Sequence, residues 1–301
     1  MRWDDFRRSD NVEDARDGGG GFPGGVSGAG GMGIGTLLIL LVLGWIFGID
    51  PSMLIGGGDV LSSPPSRYQE GYQEKKTVGR GTPPDQVGQF VAAVLGDTED
   101  RWKEIFQRSG QTYQPPKLRL YAGAEQSACG FAQSAMGPFY CPNDRRIYLD
   151  TSFFRDLERR FQGCSGKACE FAQAYVIAHE VGHHVQNLIG ILPRAMQMQQ
   201  GRDRASANNL QVRVELQADC FAGVWAHHSQ EKWKFLEPGD VEAAMQTAAA
   251  IGDDRLQRKT QGYVVPDAFT HGSSAQRVRW FTNGLKSGEL SSCNTFDAAQ
   301  L

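Results

Sequence analysis

The residues best suited to chemistry in this chain are His179, Glu180 and His183, in the run His179-Glu180-Val181-Gly182-His183. On a helix, side chains four positions apart project from one face about a turn from each other, so both imidazoles can reach a single ion. Zinc accepts histidine nitrogen at about 2.0–2.1 Å and, in a catalytic site, keeps one position for water. Glu180 stands one residue round the helix, beside such an ion rather than on it. There a carboxylate can take the proton of the ion's water as that water attacks a carbonyl. One short run thus offers two ligands and a base. Around it Phe171, Ala174, Ala178, Val181 and Val185 recur at helical intervals until Gly190, a suitable helix stop. The alternative is a solvated face carrying two ordinary histidines. The apolar flanks weigh against it, because buried polar groups without partners are costly. Gly182 also costs about 1 kcal/mol relative to alanine in mid-helix, which makes sense where another backbone or a ligand must come close.

Tetrahedral zinc needs a third protein ligand. The run Glu215-Leu216-Gln217-Ala218-Asp219 places two carboxylates four residues apart on a second helical segment. Acidic residues on a helix are ordinarily just solvated. Here Val212, Val214, Leu216, Cys220, Phe221, Val224 and Trp225 make the segment a largely buried one, and carboxylates in such surroundings need a reason. Glu215 can complete the ligand set. Asp219 can accept a hydrogen bond from the free ring nitrogen of a ligand histidine, fixing its tautomer.

HEVGH followed by ELQAD resembles the gluzincin arrangement, an HExxH helix with an ExxxD helix after it. More narrowly, IAHEVGHHVQ, VELQADCFAGVWAH and FTHGSSAQRVRWF together resemble the bacterial neutral zinc metallopeptidase family. The likeness takes in a glycine-rich N-terminal tail and one apolar span, hence nearly the whole chain. It implies a zincin-type fold, Zn2+ at His179, His183 and Glu215, and Glu180 as catalytic base. It does little to identify a substrate.

Other candidates are less sharply defined. His271, in FTHGSSAQ, could donate to the oxyanion of a tetrahedral intermediate, or could simply cap or satisfy the fold. Arg277 could do the same or pair with a carboxylate. His184 follows His183 and points elsewhere, to a supporting or surface role. His227 and His228 stand towards the end of a helix, where histidine suits the dipole. An extended substrate in a zincin-like site pairs with an exposed strand edge, and Gly130 to Gly137 is the candidate edge.

These groups need a frame. PPDQVGQFVAAVLGDTEDRWKEIFQRSG has helical spacing with prolines at its start; KLRLYAG alternates as a strand does; SACGFAQSAMGPFYCPNDRRIYLD predicts two or three strands with tight connections. DTSFFRDLERRF reads as a capped helix, and the remainder is helical, with Ser273 and Gln276 in a capping-box pattern. A small sheet followed by several helices is an α+β domain, predicted over residues 84–301.

Before it the composition changes. Residues 1–31 are charged and then rich in glycine, and are expected to be disordered. Residues 32–49 carry no charge; eighteen residues at about 1.5 Å each span roughly 27 Å, near a bilayer's hydrocarbon thickness. With Trp45 and Phe47 suited to an interface, they are expected to form a single transmembrane helix. A cleaved signal peptide fits less well, since the run begins late and no A-x-A-like site closes it. Residues 50–83, with GGGD, SSPPS and RGTPPD, read as a flexible linker. Lys and Arg are nearly balanced across the span and give no orientation. All six cysteines follow it, in no C-x-x-C pair, which suggests disulfides and an extracytoplasmic domain. Close spacing favours Cys164–Cys169 and Cys129–Cys141, leaving Cys220 with Cys293, although spacing does not settle connectivity.

With 40% hydrophobic residues, 22% charged and a net charge of −3, the chain has a globular core's composition and no basic face for nucleic acid. The reading that follows is a membrane-anchored zinc peptidase acting on a protein or peptide. Its rivals are a zinc-stapled scaffold without catalysis, which would have no use for Glu180, and a zinc hydrolase of another envelope amide.

Overall fold

Apolar residues alternate in KLRLY and RIYLD, as a sheet with one face on a core requires. In the computed structural model, which describes residues 1–16, 79–133, 137–159, 164 and 166–301, these runs are the parallel strands β3 (Lys117–Tyr121) and β7 (Arg146–Asp150). Leu118 lies beside Ile147 and Leu120 beside Leu149, all four in the main core. Tyr121 and Tyr148, on the opposite face, join Ala132 and Cys141 in a second, smaller cluster. β6 (Phe139–Cys141) runs antiparallel to β7 and ends the sheet on that side. β4 (Ala124–Ser127) and β5 (Gly130–Gln133) form a separate hairpin.

The other side of the sheet corrects two expectations. Residues 1–16 are folded, although disorder is expected over residues 1–31. Strand β1 (Val12–Asp14) lies parallel to β3 and antiparallel to β2 (Gly79–Arg80), giving the order β2-β1-β3-β7-β6. β2 also takes the end of the expected linker, residues 50–83, into the domain. The reason is in the first sixteen residues themselves. Met1, Phe6 and Val12 are buried in the core, Phe6 against Trp233 and Phe235. Glu13 pairs with Lys117 and Arg146, each at 3.2 Å, and Arg16 bridges Asp14 and Asp85. The glycine-rich composition begins only after them. The apolar segment 32–49 and the rest of the linker before Gly79 lie outside the described residues; among those described, no helix is long and apolar enough to cross a membrane.

Helices pack on the sheet's core face. α1 (Gln86–Arg108) is capped by the Asp85 carboxylate, and α2 (Ser152–Arg159) follows β7. α3 (Cys169–Leu188) carries the HEVGH run, α4 (Ile191–Gln199) turns the chain, and α5 (Arg204–Trp233) runs 30 residues and carries ELQAD. α6 (Asp240–Ala250) and α7 (Asp253–Gln261) lead to α8 (Ser274–Ser287), which opens with the expected Ser273–Gln276 capping box. The architecture is α+β: a small sheet and many helices. Buried Asp97 on α1 ties α5 to it by accepting from Trp225, Ser229 and Trp233. Three disulfides form, Cys129–Cys141, Cys164–Cys169 and Cys220–Cys293, the pairs that spacing favours.

Candidate metal centre

The site is made where α3 crosses α5. Gly182 permits the crossing: a Cβ there would stand 2.9 Å from the Ala218 carbonyl oxygen and 3.1 Å from its Cα. The backbones therefore meet at the glycine, one turn of α3 from His179 and beside His183. The nearest face of α5 is the one bearing Glu215 and Asp219.

His179 Nε2 lies 3.2 Å from Glu215 Oε2, and His183 Nε2 lies 3.4 Å from the same oxygen. All three side chains are almost fully enclosed. Ligands held at about 2.0–2.1 Å from a tetrahedral zinc stand roughly 3.3–3.5 Å apart, so the spacing suits one small cation. The donor chemistry suits it as well. His179 Nδ1 is 2.8 Å from Asp219 Oδ1; Asp219, an ionised carboxylate, only accepts, so Nδ1 bears a proton and Nε2 is the nitrogen that gives up its proton when a metal ion binds. His183 Nδ1 is 2.9 Å from Gln186 Oε1. That amide cannot be turned round, because its nitrogen donates to the Val214 carbonyl and to Gln217 Oε1, and Gln217 in turn donates to the Cys293 carbonyl. A chain of fixed amides thereby aims the second ligand nitrogen. Gln211 Nε2 holds the other oxygen of Glu215 at 2.9 Å.

The electrostatics also favour a positive charge at this point. Burial alone would push the His179 imidazolium towards release of its proton, yet the charge and hydrogen bond of Asp219, with Glu215, raise it to about 10. Burial would raise Glu215, but the two imidazoles hold it well below the usual carboxylate range. Asp219 has the same history: against its burial, Arg277 and His179 keep it low. Arg277 donates through Nε and Nη2 to both Asp219 oxygens at 2.8 Å, and Tyr175 Oη donates to Oδ1 at 2.5 Å. Of the two roles open to Arg277, the structure shows the carboxylate pairing, buried behind Asp219. Glu180 is buried beside the ligands; burial raises its carboxyl above the ordinary value, offset in part by His179 and His183.

The remaining candidates separate. His271 is half-exposed in the loop before α8, with Nδ1 3.0 Å from Thr270 Oγ1 and 3.4 Å from Asp253 Oδ1. Asp253 fixes that loop by accepting from the backbone N–H groups of Thr270, His271 and Gly272, and the charge of His271 is felt at both Glu180 and Glu215. His184 is fully buried and far from a surface role. It donates through Nε2 to the Gln114 carbonyl at 2.7 Å and accepts from Tyr140 Oη at 3.0 Å, and burial depresses it to about 4. Of the expected strand edge at Gly130 to Gly137, Gly130–Gln133 is strand β5, paired with β4 on one side, and residues 134–136 lie outside the described residues. The strand fastened along α3 is β6, whose Tyr140 Oη meets both His184 and Asn187. Tyr175, Gln186, Gln211 and Gln217 are site residues that the sequence reading missed. The local hints were the i, i+3 spacing of His183 and Gln186 and the i, i+4 spacings of Tyr175 with His179 and of Gln211 with Glu215.

Two crossed helices bringing two histidines and a glutamate to one buried point define a protein of the α+β class organised round a candidate metal centre. The chain belongs to the family described as "Putative neutral zinc metallopeptidase", whose profile matches residues 1–296. It is similar to the uncharacterized protein YpfJ of Escherichia coli, 47% identical over 300 residues that cover 98% of this chain and 99% of the relative. It is also similar to the uncharacterized protein Rv2575 of Mycobacterium tuberculosis, 40% identical over 265 residues that cover 85% and 86%. No solved structure matches it.

Proposed function

We propose that this protein is a membrane-associated, zinc-dependent peptidase of zincin-like fold, with His179, His183 and Glu215 as metal ligands and Glu180 as general base. The observation that carries this reading is the convergence of two imidazole nitrogens and a carboxylate oxygen on one point, each aimed by a partner of its own, with a buried carboxyl beside them. Zinc, when bound, supplies the Lewis acidity that polarises the scissile carbonyl and acidifies the attacking water. Glu180 takes the water's proton and delivers it to the departing amine nitrogen. Its burial makes it a stronger base than an exposed glutamate and keeps bulk water from competing for that proton. His271, held on a loop by Asp253, donates to the oxyanion. The outer edge of β6, which pairs with no further strand among the described residues, receives the extended substrate as an added strand alongside α3. The apolar segment 32–49 attaches the domain to a membrane, and the disulfides suit an extracytoplasmic face, where a protein near that membrane is the substrate.

The test uses the full chain, because residues 1–16 belong to the fold. Wild type and Glu180→Gln are compared on a broad peptide library, with zinc content measured beside activity. We expect both to hold zinc at the His179–His183–Glu215 centre and the variant to cleave at least about 100-fold more slowly, the usual contribution of a positioned base. Zinc binding by both with cleavage by neither would turn the reading into a zinc-stapled scaffold. Cleavage of envelope amides but not peptides would move the substrate class. Absence of zinc from wild type would remove the ligand assignment.

A further inference from the structure

A second cluster of metal-binding type lies near the far end of α5, away from the centre described above. His227 Nε2 is 3.5 Å from Glu231 Oε1 and His228 Nδ1 is 3.4 Å from Glu231 Oε2. The three ligand atoms, one from each residue, all lie within 4.8 Å of one another. What distinguishes this group from a surface ion pair is the other nitrogen of each ring. His227 Nδ1 is 2.9 Å from the Leu285 carbonyl and His228 Nε2 is 2.9 Å from the Gly288 carbonyl. A carbonyl oxygen only accepts, so each of those nitrogens carries a proton, and the neutral ring has its lone pair on the nitrogen facing Glu231. Donation from the second ring nitrogen to a backbone carbonyl is the arrangement that orients metal-bound histidines.

The rings are also held in place. Gly288 closes α8 at a φ of 66°, and a Cβ there would come within 2.4 Å of the His227 ring, so the glycine lets the imidazole pack flat against the helix end. The two rings stand edge to face, 5.2 Å between centroids. His228 is nearly buried, while Glu231 is mostly exposed, leaving the cluster open to solvent on one side. Two imidazole nitrogens and a carboxylate, all acceptors when the rings are neutral, thus point at one another, a donor set suited to a cation.

We propose that His227, His228 and Glu231 form a second site for a divalent transition-metal ion of the zinc, nickel or copper class, the ions that imidazole and carboxylate together suit. Three protein ligands and a solvent-facing side describe a labile site, weaker than the buried centre. Its ligands sit on α5 and their anchors on the end of α8. The bound ion therefore clamps together the two helices that carry Glu215, Asp219 and Arg277. The proposal is independent of the peptidase reading.

The test is equilibrium dialysis of the untagged full chain against zinc at about ten-micromolar levels, with elemental analysis and thermal unfolding. Wild type is expected to take up two zinc ions per chain, Glu231→Ala one, and Glu215→Gln one, with the ion retained by Glu215→Gln released at lower chelator concentration than that retained by Glu231→Ala. Zinc in excess of one per chain is expected to raise the melting temperature of wild type and of Glu215→Gln but not of Glu231→Ala. Loss of all uptake in Glu215→Gln would overturn the proposal, leaving a histidine–glutamate ion pair. Uptake of two by Glu231→Ala would also overturn it, placing the second ion elsewhere. Glu231 is exposed, so its removal leaves the core untouched, and His228→Gln provides an independent variant.

Discussion

Asp219 is one residue with three duties: it fixes the His179 tautomer, accepts from Tyr175 and neutralises buried Arg277. Asp219→Asn keeps the shape and removes the charge. It is expected to weaken zinc binding 10–100-fold, as loss of an outer partner of a metal-bound histidine does; chelator competition measures this. Unchanged affinity would show that Asp219 balances Arg277 and nothing more. Gly182→Ala tests the close approach. A methyl group 2.9 Å from the Ala218 carbonyl oxygen forces α3 off α5, and about 1–3 kcal/mol of stability should go with it, read from the denaturant midpoint. Zinc affinity should fall in the same variant, because the helices carry opposite halves of the ligand set. His179, His183, Glu215 and Asp219 were legible because each pair repeats at four residues on one helix, a spacing that geometry converts directly into a shared face. Gln186 and Gln217 were not. An amide's role depends on which acceptor fixes its orientation, and those acceptors, Val214 and Cys293, come from other parts of the fold.

Among elements, β1 departs most from what composition suggests. A charged stretch leading into glycines looks like a tail when read as one window. The residues that make it a strand, Val12 with Glu13 and Asp14, have partners about 65 to 130 positions later in the chain, which no local pattern reveals. Its attachment is partly ionic, and that gives it a pH dependence. Arg16 draws Asp85 from 3.8 down to about 2 and also lowers Asp14. For Glu13, burial works the other way, but Arg146 and Lys117 prevail and lower it. Carboxylates that titrate lower in the folded state add stability above their unfolded values, near pH 4, and lose it as pH falls towards about 2. Hydrogen exchange should therefore show Val12 to Asp14 losing protection over that interval before the amides of β3 and β7 do. Simultaneous loss would mean that β1 is held by its apolar contacts alone. The strands β3 and β7 and the helices α1, α3, α5 and α8 were legible for the opposite reason: each has its own period, and α1, α5 and α8 also have their own side-chain caps.

At the scale of the whole molecule, the helices bearing the ligands are buried in the main core, and the Cys220–Cys293 bridge fastens the chain's end to α5. β1 has a consequence here that concerns compartments rather than energies. Asp14 and Gly79 are register partners, so the chain departs after residue 16 and returns at residue 79 to the same sheet, on the same side of any bilayer. Strands from residues 1–16 and from residue 79 onward complete one sheet, so the amino-terminal strand and the helical body share one aqueous compartment. Free cysteines introduced by Asp5→Cys and Gln300→Cys, both at exposed positions, should react with an impermeant maleimide from the same face of sealed vesicles. Reaction from opposite faces would mean that the amino-terminal strand belongs to a different compartment from the sheet it completes.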